Sequence, residues 1–362
     1  MENQVVQSIS QATVKPATMC VFTKQDGQVE KLVDLPLSDY LTITAPACVA
    51  WIDVTTPDVE KDLEKIAGSL GFTQLPLVKV LSGFFSSYED VETELGLMLP
   101  SVIVKDFEVN VKPLVVMLRG NLVVTVHSSE VHRLMRFARY APTFVKKIKA
   151  EARVDKASLI LERIIDENND RNFEYLREIE KHGDDISRRL IDEEIDKRLV
   201  AEEIYKMKHV LITYLNVLWA SKDVVESLRY GDADLITDDD KLLGRIGILS
   251  DNIERHIELS EQMSNVLASG LEVMQTIYNN KLQTMNNRFA IVTAYLTVFG
   301  TAFLWPNTIA TVVSSMGWDL SGVQLEYMLF LIISTIIATI GSFAWVWNMW
   351  YRSRNDTLGK RL

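Results

Sequence analysis

Two long stretches without a charged side chain near the C-terminus constrain this chain more than any other feature. Residues 289–314 and 327–351 contain 26 and 25 residues without Asp, Glu, Lys or Arg. Each exceeds the roughly 20 residues that a helix needs to cross the hydrocarbon core of a bilayer. We therefore predict a transmembrane helix in each stretch. Only residues 315–326 separate them, so the two helices form a hairpin that returns the chain to the side from which it entered.

The charges that flank the hairpin predict its orientation. Basic residues lie beside the two ends that are remote from the connection, namely Lys281, Arg288, Arg352, Arg354, Lys360 and Arg361. The connection carries Asp319 and Glu326 and no basic residue. Because Lys and Arg are enriched on the cytoplasmic side, we predict a multi-pass protein of the cytoplasmic membrane with both termini in the cytoplasm. Residues 315–326 then form an acidic outer loop, and residues 352–362 a basic cytoplasmic tail.

The residues before the first span show two patterns. Residues 1–132 alternate β-branched runs, such as "PACVAWIDV" and "NLVVTVH", with an amphipathic helix that Asp58 is placed to cap, which predicts an α/β domain with a sheet. Residues 133–241 are periodic and highly charged, and predict two long antiparallel helices. Residues 242–288 form a stalk, and a single helix over residues 242–305 runs into the membrane. The predicted fold class is an α+β cytosolic domain with long helices plus a two-helix transmembrane hairpin.

Composition and motifs argue against several other functions. The formal net charge of -11 argues against nucleic-acid binding, which needs a clustered excess of Lys and Arg. Cys20 and Cys48 have no partner at metal-ligand spacing, and the five histidines include no HExxH pair. The acidic run of Asp232, Asp234, Asp238, Asp239 and Asp240 lacks the Gly and final Glu of an EF-hand and is interpreted as a solvated loop. Without a Gly-rich phosphate loop or a nucleophile elbow, we expect neither an enzyme nor a resident cofactor.

A helical wheel of the first span separates polar from apolar residues. Nine residues fall within about 60° of one line at 3.6 residues per turn and are called the polar stripe: Asn286, Thr293, Thr297, Gly300, Thr301, Leu304, Asn307, Thr308 and Thr311. The reverse side holds Ile291, Tyr295, Val298, Phe299, Ala302 and Ile309. Threonine hydroxyls can bond to their own helix, and small residues permit close helix packing. The number of polar groups nevertheless favours a wet axis, which a two-helix subunit encloses only as a homo-oligomer.

The outer end of the first span carries a second polar feature. Pro306 cannot donate a hydrogen bond to the carbonyl of Ala302, so the helix is expected to kink or end there. Asn307 would then lie at the outer mouth, where its amide oxygen is a ligand type that hard cations prefer. Asp319 and Glu326 would concentrate cations through their electric field. These features predict an ion pore for cations.

At this point the sequence resembles the CorA family of magnesium transporters. The resemblance lies in the layout of nearly the whole chain: an α/β part with "WIDV", "LGFTQLPLVKVL" and "NLVVTVH", long charged helices, a stalk, and two spans around a short acidic loop. It implies a funnel-shaped homopentamer with the first span lining the pore. It also implies divalent ions bound between cytosolic domains, for which Asp90 and Asp251 are the closest matches by position. The alternative is that both are solvated surface carboxylates.

The resemblance includes one departure. The family signature at the end of the first span, an aromatic residue followed by Gly-Met-Asn, is absent. "FGTAF" echoes its start, but "LWPN" places Asn307 at a more suitable depth. We expect Mg2+ or another divalent cation to be the substrate and a possible regulator. The altered signature leaves open a monovalent or weakly selective cation channel, a zinc transporter, and a non-conducting membrane-anchored helical scaffold.

Overall fold

The computed structural model describes residues 16–83, 85–105, 108–148, 152–191, 195–231, 233–316, 322 and 324–358. The chain divides into two compact units, Met1–Glu272 and Val273–Leu362. The first unit contains a sheet and long helices, and the second contains two long apolar helical segments. The fold class predicted from the sequence is therefore confirmed.

The first unit is built on one seven-stranded sheet. Its strands are β1 Ala17–Thr23, β2 Val29–Val33, β3 Val49–Thr55, β4 Ser87–Val91, β5 Glu94–Lys105, β6 Glu108–Arg119 and β7 Leu122–His127. The strand order is β2-β1-β3-β7-β6-β5-β4, which makes β2 and β4 the edges. All neighbours are antiparallel except β3 and β7, which are parallel. Both parallel strands lie in the middle of the sheet and are almost wholly buried, as their continuous β-branched runs predict.

Eight helices accompany the sheet in the described part of the chain. They are α1 Leu37–Thr44, α2 Val59–Ser69, α3 Leu77–Ser82, α4 His132–Lys147, α5 Arg153–Ile191, α6 Lys197–Tyr230, α7 Asp240–Ser315 and α8 Gln324–Leu358. The predicted cap of α2 is confirmed, because the Asp58 carboxylate accepts a hydrogen bond from the Lys61 backbone N–H at 3.2 Å. Leu63 and Ile66 on the predicted apolar face are buried.

The "WIDV" and "NLVVTVH" segments meet in a buried polar network across β3 and β7. The Trp51 indole N–H donates to the Thr125 hydroxyl at 3.0 Å, and that hydroxyl donates to Asp53 Oδ1 at 2.5 Å. The same carboxylate oxygen lies 3.1 Å from His127 Nε2. Burial of the imidazole lowers the pKa of His127, but the negative charge and hydrogen bond of Asp53 outweigh it, so that the net pKa is raised.

Three helices follow the sheet where the sequence predicted two. The short helix α4 packs Phe137 on Trp51, with ring centroids 4.7 Å apart, and α5 and α6 follow as the long pair. Tyr214 of α6 donates to the Asn172 carbonyl of α5, whereas the earlier α6 residue Glu203 pairs with the later α5 residue Arg189, so the two helices are antiparallel. The segment "KKIKAEAR" between α4 and α5 contains neither Gly nor Pro, so no turn signal marked the break.

The helix α7 is continuous, as the sequence predicted, but longer. It begins at Asp240, where the Asp239 carboxylate accepts hydrogen bonds from the backbone N–H groups of Lys241 and Leu242 at 3.0 and 3.1 Å. It continues past Pro306 to Ser315, so the helix does not end at the proline, and a kink there stays a prediction. A proline removes one backbone hydrogen bond from a helix. The backbone hydrogen bonds of the turns before and after Pro306 are enough to keep α7 continuous.

Candidate functional site

The polar stripe occupies one exposed face of α7 in the second unit. All nine of its residues, from Asn286 to Thr311, are exposed in the single chain. Val298 and Ala302, on the reverse side, are only 6% and 3% exposed. Val298 lines a groove together with Phe343 of α8. The helix α8 therefore covers the reverse side at Val298, whereas Ile291, Tyr295 and Phe299 of the same side stay exposed. Most of the stripe is left available to other partners or to water.

Four of the five threonines of the stripe donate their hydroxyl hydrogens within α7. Four hydroxyls donate to the carbonyl oxygen four residues earlier, namely Thr297 to Thr293, Thr301 to Thr297, Thr308 to Leu304 and Thr311 to Asn307, at 2.8 to 2.9 Å. A hydroxyl has one donor and two acceptor lone pairs. Each of these oxygens therefore offers acceptor capacity to its surroundings. Such a row of oxygen acceptors suits cations and the water molecules around them.

One edge of the stripe approaches α8. The Thr301 hydroxyl lies 3.3 Å from the Ser342 hydroxyl. A helical wheel of the first span alone does not show this contact with α8. The signal available in the sequence was the small and polar run "TIGS" in an otherwise apolar helix. Ser342 is therefore a candidate for positioning the stripe.

The outer end of the candidate site differs from the expectation. Asn307 is exposed on an unbroken helix, so it is one member of the stripe and does not follow a helix end at Pro306. Glu326 is exposed in the first turn of α8. Asp319 lies outside the described residues.

The two predicted regulatory carboxylates lie on separate elements. Asp90 is exposed on the edge strand β4, and Asp251 is exposed on α7. Partial desolvation of the carboxylate, together with the nearby negative charges of Asp234 and Glu92, raises the pKa of Asp90. No group of three or more carboxylate, His or Cys side chains that could hold a metal ion occurs among the described residues. Within one chain, therefore, Asp90 and Asp251 do not belong to a ready-made metal site.

Comparison with known proteins gives these features a context. Residues 47–352 match the family model of the CorA-like Mg2+ transporter protein. The chain belongs to this family. The CorA resemblance drawn from the layout of the sequence is therefore confirmed. Membership in a family of Mg2+ transporters assigns the chain to the transport of divalent metal cations.

Solved structures of several proteins resemble this CorA-family chain in fold. The complete CorA magnesium transporter from Methanocaldococcus jannaschii is 18% identical, with a TM-score of 0.66 over 89% of this chain and 96% of that one. The full-length CmaX protein is 14% identical, with a TM-score of 0.60 over 91% and 97%. The ZntB cytoplasmic domain from Vibrio parahaemolyticus is 12% identical, with a TM-score of 0.55 over 73% and 98%. No curated protein matches the sequence.

The chain contains two candidates for the membrane spans expected of the CorA family. In the described part of the chain, two helical segments are long and apolar enough to cross a bilayer, one within α7 and the other at Gln324–Asn348. Large apolar side chains such as Phe303 and Ile340 are exposed on them, as expected for surfaces that face lipid or neighbouring helices.

The surroundings of Asp90 contain a residue that the sequence analysis missed as a candidate. Asp234 belongs to the acidic run interpreted as a solvated loop, yet its charge influences Asp90 on β4. The Tyr88 hydroxyl lies in the same region, and burial together with Asp90 raises the pKa of Tyr88 to about 12. Asp232, at the start of the run, lies outside the described residues. The sequence contained both acidic segments but no sign that they are neighbours.

Proposed function

We propose that the chain forms a homo-oligomeric channel for the passive passage of divalent cations, with the polar stripe of α7 facing a central water-filled axis. The exposed row of threonine oxygens carries this proposal. These hydroxyls have already donated their hydrogen atoms to α7, so acceptor lone pairs remain for cations and water. A two-helix hairpin cannot enclose an axis alone. The resemblance to the CorA family supports a pentamer in the cytoplasmic membrane, with both termini cytoplasmic.

Mg2+ is the substrate that we propose. No residue of the stripe is charged, so a permeating ion would keep much of its water, as Mg2+ does readily because it dehydrates reluctantly. Asn307 would contact the ion or its hydration shell through the amide oxygen. Asp319 and Glu326 would raise the local cation concentration at the outer mouth.

Cytosolic divalent cations are the proposed regulators. Asp90 of one subunit and Asp251 of the next would bind an ion between them and hold the stalks closed. The raised pKa of Asp90 reflects partial desolvation and the nearby negative charges of Asp234 and Glu92. A bound cation would neutralise those charges. Loss of the ion would leave facing carboxylates to repel one another and let the stalks separate.

Ion flux into proteoliposomes tests the pore. The full-length protein should pass Mg2+. Thr297→Leu should lower the flux at least about tenfold, because it replaces an oxygen on the axis by a larger apolar side chain. A tenfold loss corresponds to an increase of about 1.4 kcal/mol in the barrier to ion passage. Val292→Leu is the matched control. It also replaces a β-branched residue by leucine at an exposed position of α7, but off the stripe, and it should leave the flux unchanged.

Other ions distinguish the remaining candidates. Free passage of Na+ with Mg2+ at background would reject the divalent channel in favour of a monovalent one, and selective passage of Zn2+ would reject Mg2+ as substrate. Absence of flux for every ion, with wild-type oligomers intact, would favour a scaffold. A monomer or dimer by native mass measurement would contradict the pore itself.

A further inference from the structure

An apolar groove runs between the two helices of the membrane hairpin. Its volume is about 190 Å³, and its lining includes Ile291, Ala294, Tyr295 and Val298 of α7 and Phe343 and Trp347 of α8. The Tyr295 and Trp347 side chains are 54% and 57% exposed. The rings of Phe343 and Trp347 stack with centroids 6.2 Å apart and form one wall. The groove is open to the surroundings of the hairpin and is lined by hydrocarbon and aromatic surface.

The direction of the groove determines what can cover it. Tyr295 lies about 180° around α7 from the centre of the polar stripe, and Ile291 about 140°, at 3.6 residues per turn. Val298 lies about 120° and Ala294 about 80° from the same centre, so the groove extends from the flank of α7 to its reverse side. If the stripe faces the central axis, as the proposed function requires, the part of the groove beside Tyr295 and Ile291 faces away from that axis. Neighbouring subunits of a ring lie to the sides of this part, and membrane lipid lies in front of it.

A basic residue of α7 precedes the lining of the groove by about one helical turn. Arg288 is exposed on α7, about one turn before Ile291 and about 20° around the helix from Tyr295. It directly precedes the charge-free residues 289–314, and a basic residue at the end of a membrane span is within reach of the lipid headgroups. Arginine binds phosphate with paired N–H donors. Tyr295 and Trp347 are amphipathic aromatic residues of the type enriched at the boundary between headgroups and acyl chains.

We propose that this groove binds an anionic phospholipid of the membrane, with an acyl chain between Tyr295 and Trp347 and the phosphate at Arg288. The apolar lining of the groove explains retention of the acyl chain. Arg288 explains preference for a headgroup with net negative charge, because a zwitterionic headgroup offers a compensating positive group of its own.

Native mass spectrometry of the full-length protein tests the site. The protein is incubated in detergent with equal concentrations of dioleoyl phosphatidylglycerol or dioleoyl phosphatidylcholine, and the lipids retained per chain are counted. We expect about a fivefold preference for phosphatidylglycerol, the effect of one basic side chain at an anionic surface. Arg288→Gln should remove the preference and leave phosphatidylcholine unchanged. Arg255→Gln, which removes an exposed arginine of α7 in the first unit, should behave as wild type.

A second pair of variants tests the groove apart from the charge. Ala294→Phe fills the groove and should lower retention of both lipids at least about threefold, whereas Ile337→Phe, at an exposed position of α8 outside the groove lining, should not. Equal retention of the two lipids by wild type, or wild-type retention by Ala294→Phe, would overturn the lipid site. Disulfide cross-linking between copies through Tyr295→Cys would overturn it in favour of a protein occupant. If no ion flux is measured but lipid retention follows the expected pattern, only the proposed pore is contradicted.

Discussion

At the scale of single residues, buried polar side chains organise the first unit. Asp53, Thr125 and His127 lie in the two parallel central strands and satisfy one another. Glu94 is 2% exposed and accepts backbone hydrogen bonds from the loop before α3. A buried charge without such partners would cost several kcal/mol. These residues therefore fix the positions of the elements that they join. Their substitution should lower the free energy of unfolding.

The raised pKa of His127 makes the stability of the first unit depend on pH. The folded-state pKa lies above the roughly 6.5 of free imidazole. The stabilisation is therefore fully present below about pH 6.5 and is lost as the pH rises through the folded-state pKa. We expect the difference in unfolding free energy between wild type and His127→Gln, measured by denaturant titration in detergent, to shrink from pH 5.5 to pH 8.5. A difference that grows over this range would contradict the assigned direction.

Glu94 should be a sensitive position. Its carboxylate accepts from the backbone N–H groups of Thr73, Gln74 and Leu75, each at 2.9 Å. Glu94→Ala leaves these donors without that acceptor, and we expect a loss of about 3 kcal/mol in the free energy of unfolding. Glu94→Gln keeps one acceptor oxygen and should lose less. Equal losses for the two variants would show that packing, and not hydrogen bonding, determines the effect.

At the scale of elements, the long helix α5 carries two buried amides that differ in their hydrogen bonding. Asn168 of α5 donates to the Pro100 carbonyl of β5 at 2.9 Å and ties the helix to the sheet. One turn later, the Asn172 side chain is completely buried, and neither its oxygen nor its nitrogen has a hydrogen-bond partner among the described residues. Burial of an unpaired amide opposes folding. The same residue type thus has opposite expected effects at two positions of one helix.

Substitution of the two asparagines tests this difference. Asn172→Leu removes an unpaired amide at similar volume and should raise the unfolding free energy by about 1 kcal/mol, whereas Asn168→Leu leaves the Pro100 carbonyl unpaired and should lower it by about 2 kcal/mol. Thermal unfolding of both variants and of wild type measures whether each substitution raises or lowers stability. A loss at both positions would show that ordered water serves Asn172.

At the scale of the whole molecule, family membership and two apolar spans make the chain a metal-cation transporter of CorA type. The proposed regulation depends on neighbouring subunits, because Asp90 and Asp251 lie on different elements and belong to no three-ligand cluster among the described residues of one chain. An ion that bridges subunits would couple cytosolic ion concentration to the position of the stalks.

Removal of the charges of Asp90 and Asp251 should weaken the inhibition by internal Mg2+ that we propose. For Asp90→Asn with Asp251→Asn, we expect the half-inhibitory internal Mg2+ concentration to rise about tenfold, within the usual range of coupling between sites. Flux from proteoliposomes of graded internal Mg2+ measures it. Asp238→Asn, at an exposed position of the acidic loop, is the control and should not shift the curve. An unshifted curve for the double variant would exclude these two carboxylates as regulators.

The sequence by itself determined those features that depend on local pattern. The long helix through residue 305, the α2 cap at Asp58 and the central strands "WIDV" and "NLVVTVH" follow from periodicity, side-chain chemistry and β-branched runs, which act over a few residues. Pattern also separated the stripe from the apolar face of α7. It could not show that α8 covers Val298, that Thr301 meets Ser342, or that Asp234 lies near Asp90. Those contacts join residues far apart in the chain, and only tertiary packing decides which apolar faces and which charges become neighbours.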